Sequence, residues 1–256
     1  MRSFGTSDIG LARKLNEDFF YCQDTYEYNS PYLCIVADGM GGHNAGEVAS
    51  KMAVNEVKSF IEKAINNSDC SEIEDYKKLV RDAFLFANES VYNNSIENKE
   101  CLGMGTTLTL ALMIGDDLII GHVGDSRMYL ITENSMAKIT DDHSYVAELI
   151  KNGTIKPEEA DHHPQKNLIT RALGTSRSLD VDTKNIKLKK GDFILICTDG
   201  LSNMLSEVEI LNIVLSKKEP DSICYELINK ANLNGGLDNV TVVVIEVMLG
   251  GGNNDR

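Results

Sequence analysis

Two apolar runs in this chain stop abruptly at an Asp-Gly pair: Leu33-Cys34-Ile35-Val36-Ala37-Asp38-Gly39 and, far downstream, Phe193-Ile194-Leu195-Ile196-Cys197-Thr198-Asp199-Gly200. Short apolar and β-branched runs bounded by turn signals predict buried strands. Each strand then carries a carboxylate to its end, and a charge set against a core is costly unless it is paired or coordinates a metal. Neither Asp has a Lys or Arg as a close sequence neighbour, so the pair asks for a cation. Glycine after each Asp suits a sharp turn, and also a backbone carbonyl brought close to a ligand.

The remaining pattern sets these strands among others. Strands are predicted over 19–21 and 33–37, a Gly-rich loop over 39–46, then helices over 47–64 and 73–94 with apolar residues at helical spacing, forming a packed pair. From Gly105 the texture turns to β: 106–114, 118–123 and 127–132 read as a meander, and 181–188 with 192–197 as a strand pair turning at Lys190-Gly191. Helices over 206–215 and 221–233 precede a last strand over 239–247. Strand runs interleaved with paired helices, without regular βαβ alternation, predict an α+β antiparallel sheet system flanked by helices. The polar interval 145–170 reads as a functional lid or a disordered excursion.

At 256 residues the chain suits one large domain or at most two small ones. A net charge of -14 disfavours a nucleic-acid backbone or an anionic membrane surface as partner. The first residues lack a signal-peptide apolar region and no run is long enough to span a membrane, so a cytoplasmic protein without membrane insertion is expected. The six cysteines show no C-x-x-C spacing, which indicates neither a zinc site nor a disulfide framework.

Acidic residues recur where turns meet predicted strands. Glu17 and Asp18 open the first strand, Asp38 and Asp199 close the two apolar runs, Asp125 lies in Val123-Gly124-Asp125-Ser126-Arg127, and Asp238 precedes Asn239-Val240-Thr241. Singly, each is an ordinary turn residue or cap. If two or three converge, repulsion raises their pKa values unless divalent cations neutralise them. An all-oxygen ligand set selects Mg²⁺ or Mn²⁺ rather than Zn²⁺. Among the histidines, His43 reads equally as a proton donor or a helix cap, His143 as a structural hydrogen-bonding residue, and His162-His163 as lid surface.

Taken in order, Arg13-x-x-Asn16-Glu17-Asp18, Asp38-Gly39-Met40-Gly41-Gly42-His43, Gly105-Thr106-Thr107, Gly124-Asp125-Ser126-Arg127, Asp141-Asp142-His143-Ser144, Ile169-Thr170-Arg171-Ala172-Leu173-Gly174, Thr198-Asp199-Gly200-Leu201 and Asp238-Asn239-Val240-Thr241 resemble the metal-dependent protein phosphatases of type 2C in their bacterial form. Any one of these matches is weak; the whole series in the family's order is specific.

The resemblance implies αββα layers: a central sandwich of two antiparallel β-sheets flanked by pairs of antiparallel helices. It implies a single catalytic domain over 1–248 with a flap at about 145–170; the Gly- and Asn-rich tail over 249–256 reads from its composition as disordered. Two metal ions, Mg²⁺ or Mn²⁺, are expected in one active site. Asp38 would bridge them, Asp199 and Asp238 complete the first, the Gly39 carbonyl serve the second, and Glu17 and Asp18 lie nearby. Asp125 would share a third, weaker ion with Asp199, and Arg13 would grip the substrate phosphate. A water bridging two such ions ionises near neutral pH and attacks phosphorus in line, with no protein nucleophile. The implied activity is hydrolysis of phosphoserine and phosphothreonine by a monomer whose partners are phosphoproteins and an opposing Ser/Thr kinase. A small-molecule phosphohydrolase and a catalytically silent sensor on the same fold stay open as alternatives. Two departures stand out: Met40 occupies a position where some members place a His as general acid, and Asn203 one where many carry another Asp for the third ion.

Overall fold

The computed structural model describes residues 1–23, 30–41, 45–67, 70–160, 163–216 and 219–248. His43, His162 and the tail over 249–256 lie outside the described residues.

Strands of the described residues form two antiparallel sheets. In one, β1 (Arg2–Asp8), β11 (Val240–Glu246), β10 (Phe193–Cys197), β7 (Arg127–Thr132) and β8 (Ser135–Lys138) lie side by side in that order. In the other the order is β2 (Asp18–Cys22), β3 (Tyr32–Met40), β5 (Leu108–Ile114), β6 (Asp117–Val123) and β9 (Asp182–Lys187). The short β4 (Gly105–Thr106) pairs with the end of β3.

The apolar runs are continuous because both faces of these strands are covered. Side chains alternate across a strand, so Ile35 and Ala37 of β3 pack outward beneath α1 (Ala45–Asn66) and α2 (Ile73–Glu97), meeting Val57, Ile61, Val80 and Phe84. Cys34 and Val36 point the other way, against Ile196, Val243 and Ile245 of the opposite sheet. The outer face of that second sheet, with Leu195, Val242 and Val244, is closed by Leu201 of α5 (Asp199–Ser202), Ile210 of α6 (Glu207–Val214) and Leu227 of α7 (Pro220–Leu233). Each such fully buried Ile, Leu, Val or Phe contributes roughly 1.5–3 kcal/mol. The layers are therefore helix, sheet, sheet, helix. No helix among the described residues is long and apolar enough to cross a membrane.

Two predicted pairings are corrected. The stretch from 106 to 132 is not one meander: β5 pairs with β6, but β7 lies in the other sheet, between β10 and β8. Strands over 181–188 and 192–197 do not form a hairpin either, since β9 pairs with β6 and β10 with β11 and β7. A short polar link with a glycine serves a hairpin or a corner between packed sheets, and only the layering decides which. At the first corner Gly124 has φ 115°, and a Cβ there would stand 2.5 Å from Thr107. β1 and β8 were not predicted: both are edge strands with mixed composition and little of the apolar patterning that reveals a buried strand. The interval 145–170 carries two short helices, α3 (Tyr145–Lys151) and α4 (Pro157–Ala160), and is tied back by a bridge between Ser144 and Ile169.

Candidate metal centre

The two sheets bring their acidic residues to one end of the sandwich. Asp18 and Asp38 are direct register partners on β2 and β3. Asp18 reaches across the seam between the sheets, where its Oδ2 accepts hydrogen bonds from the hydroxyls of Thr198 at 2.9 Å and Thr241 at 2.7 Å. Asp199 begins α5 just after β10, Asp238 precedes β11, and Asp125 sits in the corner between β6 and β7. Glu17 lies beside the head of α1, where the Gly46 N–H supports its carboxylate. Arg13 donates to Asp238 Oδ2 at 2.7 Å and is about half exposed.

Electrostatics show that these groups share one space. Burial, followed by repulsion from Asp18, Asp199, Asp125 and Asp238, pushes the Asp38 carboxyl well above its ordinary range. Burial lifts Asp18 to about 7 against the pull of its two threonine hydroxyls. Asp125 also rises to about 7, through burial and then the charge of Asp199. Burial and Asp238 raise Asp199, and burial raises Glu17. Among the described residues two guanidiniums act on the cluster: Arg127, bonded to Asp142 at 2.8 Å, draws on Asp125 and Asp199 through its charge, and Arg13 is bonded directly to Asp238. The Oδ1 atoms of Asp18, Asp125 and Asp199 are buried without a hydrogen-bond partner. Buried polar atoms are ordinarily satisfied, so three unpartnered carboxylate oxygens in one cluster demand cations.

The glycines after Asp38 and Asp199 answer to crowding rather than to a turn. Neither has a positive φ. A Cβ on Gly39 would come within 2.1 Å of the Gly46 carbonyl oxygen, and one on Gly200 within 1.9 Å of that of Asn239. At Gly46 a Cβ would strike both Glu17 Oε1 and the Gly39 carbonyl oxygen, so both oxygens crowd the head of α1.

Several residues that hold this arrangement carried no assigned role in the sequence reading. The Asp38 backbone is clamped on both sides: its N–H donates to Thr107 Oγ1, and its carbonyl accepts from the Thr107 N–H and the Thr106 hydroxyl, all at 2.9 Å. Thr107 is linked in turn to Ser126, next to Asp125. Asn239 is buried, accepts from the Glu17 N–H at 2.8 Å, and donates to the carbonyls of Ile9 and Leu15 at 2.9 Å each, pinning the loop that carries Arg13. Each buried group stripped of its partner costs about 1–3 kcal/mol. Asn239→Leu should therefore lower unfolding free energy by at least about 3 kcal/mol, read as a reduced urea midpoint at unchanged m-value; a loss below about 1 kcal/mol would remove Asn239 from this role.

Other candidates stand apart. His143 Nδ1 accepts from the Gly124 N–H, its Nε2 faces Asp182 and Arg171, and its ring packs on His122, a structural post beneath the corner that carries Asp125. His163 caps a local turn through Gln165 and lies against Tyr145. Asn203 donates to Asp199 Oδ2 at 3.0 Å.

The donor set is hard, all-oxygen and starved of counter-charge, which fits Mg²⁺ or Mn²⁺. Asp38, Asp199, Asp238, Asp18, Asp125, Glu17 and the Gly39 carbonyl could hold such ions. Among the described residues, no group of three or more His, Cys, Asp or Glu side chains stands as a ready-made metal cage.

Residues 14–218 match the family described as Protein phosphatase 2C. The chain is 39% identical over 243 residues to the serine/threonine phosphatase stp of Listeria welshimeri serovar 6b, covering 94% of this chain and 93% of the relative. It aligns with the crystal structure of the Mycobacterium tuberculosis serine/threonine phosphatase PstP/Ppp at a TM-score of 0.85 and 36% identity, over 96% of this chain and 98% of that one. The catalytic domain of serine threonine protein phosphatase PstP, solved in complex with two manganese ions, gives a TM-score of 0.83 at 35% identity, with 96% of this chain and 98% of that one covered. With the αββα layers, the gathered carboxylates and likeness over nearly its whole length, this chain belongs to the protein phosphatase 2C family.

Proposed function

We infer that this chain is a divalent-metal-dependent protein serine/threonine phosphatase. We propose Asp38, Gly39, Asp199 and Asp238 as holders of two ions, Glu17 and Asp18 as their near neighbours, and Asp125 as the holder of a third, weaker ion with Asp199. One catalytic unit over 1–248 carries the site, and 145–170 is its flap. The observation that carries this reading is the cluster of buried, mutually repelling carboxylates with three unpartnered oxygens.

The chain's own residues account for binding and orientation. Arg13 presents a planar guanidinium fork suited to a phosphate edge, and its bond to Asp238 keeps it at the mouth of the cluster. Asp38 is held rigidly by its threonine clamp, so a ligand bound to it meets fixed geometry. Thr198 and Thr241 fix one oxygen of Asp18 and leave the other buried without a hydrogen-bond partner. When bound, divalent ions supply positive charge to the phosphoryl oxygens and acidify a water for attack. Met40 offers no proton to a leaving seryl or threonyl oxygen. Asn203 replaces a possible carboxylate with a neutral amide already spent on Asp199, which weakens a third ion there.

A cavity of 410 Å³ runs from Asp125, Asp199 and Asn203 to Val146, Ala147 and Ile150 on α3. Its mostly polar lining carries an apolar strip of Val146, Ala147, Ile150 and Pro157 beside the acidic floor, which suits a peptide segment flanking a phosphoresidue and favours a protein substrate over a small metabolite. The intact carboxylate cluster disfavours a silent sensor. Phosphoproteins and an opposing Ser/Thr kinase are the proposed partners of a monomer.

The deciding experiment is hydrolysis of phosphoserine, phosphothreonine and phosphotyrosine peptides with Mn²⁺, Mg²⁺ or chelator. Activity should vanish in chelator and return with Mn²⁺ or Mg²⁺; restoration by Zn²⁺ alone would overturn the hard-ion assignment. Hydrogen bonds to charged groups contribute about 1.5–3 kcal/mol, so Arg13→Ala should raise KM by about 10- to 100-fold. An unchanged KM would detach Arg13 from the phosphate.

A further inference from the structure

Cys22 and Cys34 face each other as register partners across β2 and β3, with the Cys34 thiol donating to Cys22 Sγ at 3.4 Å. Both side chains belong to the core between the sheets, Cys34 fully buried and Cys22 partly exposed at the end of an edge strand. Cys22 Sγ also lies 3.0 Å from the Ser3 hydroxyl on β1. Ser3 meets the Tyr32 hydroxyl, and Tyr32 donates to the Gln23 carbonyl at 2.5 Å. The cysteine pair thus sits at one end of a hydrogen-bonded chain of thiol and hydroxyl groups, on the strand pair but well away from Asp18 and Asp38.

We propose that Cys22 and Cys34 form a dithiol oxidation site that closes to a cross-strand disulfide when the chain meets a hydroperoxide. Directly opposite residues of an antiparallel pair have Cα atoms about 4.5 or 5.5 Å apart, inside the span that a disulfide bridges. The sulfurs must approach by about 1.4 Å to reach a bond length near 2.05 Å, a movement that side-chain rotation supplies. The division of labour follows from burial. Cys22 is reachable and its sulfur receives a hydrogen bond, whereas burial drives the Cys34 thiol far up and keeps it protonated until it is needed.

The Cys22 thiolate attacks the distal oxygen of the hydroperoxide and the O–O bond breaks. The departing alkoxide takes up the proton that Cys22 shed, and Cys22 becomes a sulfenic acid. Cys34 sulfur then attacks Cys22 sulfur, the S–O bond breaks, and the hydroxyl leaves as water with the Cys34 proton. Two thiols and one hydroperoxide give one disulfide, one alcohol or water, and one further water. Cys224 is the competing partner, near enough to interact electrostatically with Cys22, but its thiol donates to the Phe4 carbonyl. The same two strands carry Asp18 opposite Asp38 four positions along, so the bond staples the register on which that pairing depends.

The test exposes the reduced full-length chain to a few equivalents of hydrogen peroxide, alkylates the remaining thiols and maps the peptides. The expected result is loss of two of the six alkylatable thiols, a Cys22–Cys34 linked peptide, a mass decrease of about 2 Da, and reversal by dithiothreitol. Cys22→Ser and Cys34→Ala should each abolish the linkage while unoxidised phosphatase activity stays at the parental value; the two variants guard against one failing to fold, which circular dichroism reads. Retention of all six thiols, a Cys22–Cys224 link, or oxidation of Cys22 to sulfinic acid with Cys34 untouched would overturn the proposal.

Discussion

Asp38→Asn is expected to abolish phosphoryl hydrolysis, with kcat down by at least about a thousandfold, while leaving a folded protein. Removing one preorganised donor from a catalytic site commonly costs about a hundred- to a thousandfold, and Asp38 is the proposed holder of both ions. The side chains are isosteric and the clamp on Asp38 is made by its backbone, so Thr106 and Thr107 keep their bonds in the variant. The substitution also deletes the charge that Asp18, Asp199, Asp125 and Asp238 repel. The metal-free variant should therefore be more stable than its parent at neutral pH, though inactive. Turnover of an aryl phosphate within tenfold of the parent's would end the assignment of Asp38.

The second large effect is a dependence of stability on pH that divalent ions remove. Asp18 and Asp125 hold their protons up to about pH 7 when folded, against an ordinary value of 3.8. Between those values the folded chain binds more protons than the unfolded chain, so stability falls as pH rises through that window. Below about pH 4 both states are protonated and the contribution is fully present; above about pH 7 it is lost. Shifts of this size represent a few kcal/mol on the order-of-magnitude scale, or roughly 10 °C in Tm for a chain of this length. In chelator, Tm at pH 8 should lie about 10 °C below Tm at pH 5.5, and saturating Mn²⁺ or Mg²⁺ should raise the pH 8 value most. A metal-free Tm that climbs from pH 5.5 to pH 8 would contradict the electrostatics of the cluster. Asp38→Asn should narrow the gap, which separates the local effect from the general repulsion of a chain of net charge -14.

The apolar runs ending in Asp38 and Asp199 were legible because strands covered on both faces need unbroken apolar sequence, and a carboxylate at the end of such a run is conspicuous. The helix pair α1 and α2 was legible from its spacing, to within a few residues at each end. The partition of strands between sheets was not. Gly124 to Ser126 and Lys190-Gly191 have the chemistry of hairpin links, and their use as corners depends on packing between layers that no local pattern encodes. The sequence points to Gly39 and Gly200, but the neighbours that exclude a Cβ there, the carbonyls of Gly46 and Asn239, are set by packing and not by any local pattern. The roles of Thr198, Thr241 and Asn239 have no local signature, because their partners Asp18, Glu17, Ile9 and Leu15 lie some two hundred positions away.

The seam crossed by Asp18 has a thermodynamic consequence. Its carboxylate comes from one sheet and its two hydroxyl partners from the other, so the cluster is complete only while the layers are docked. Ions that bind the docked form alone stabilise it by mass action. Ion affinity then becomes a gauge of sandwich integrity. A cavity cut far from the cluster, for example at Ile245 between the sheets, should weaken ion binding without touching a ligand, and excess divalent ion should buffer the chain against such damage.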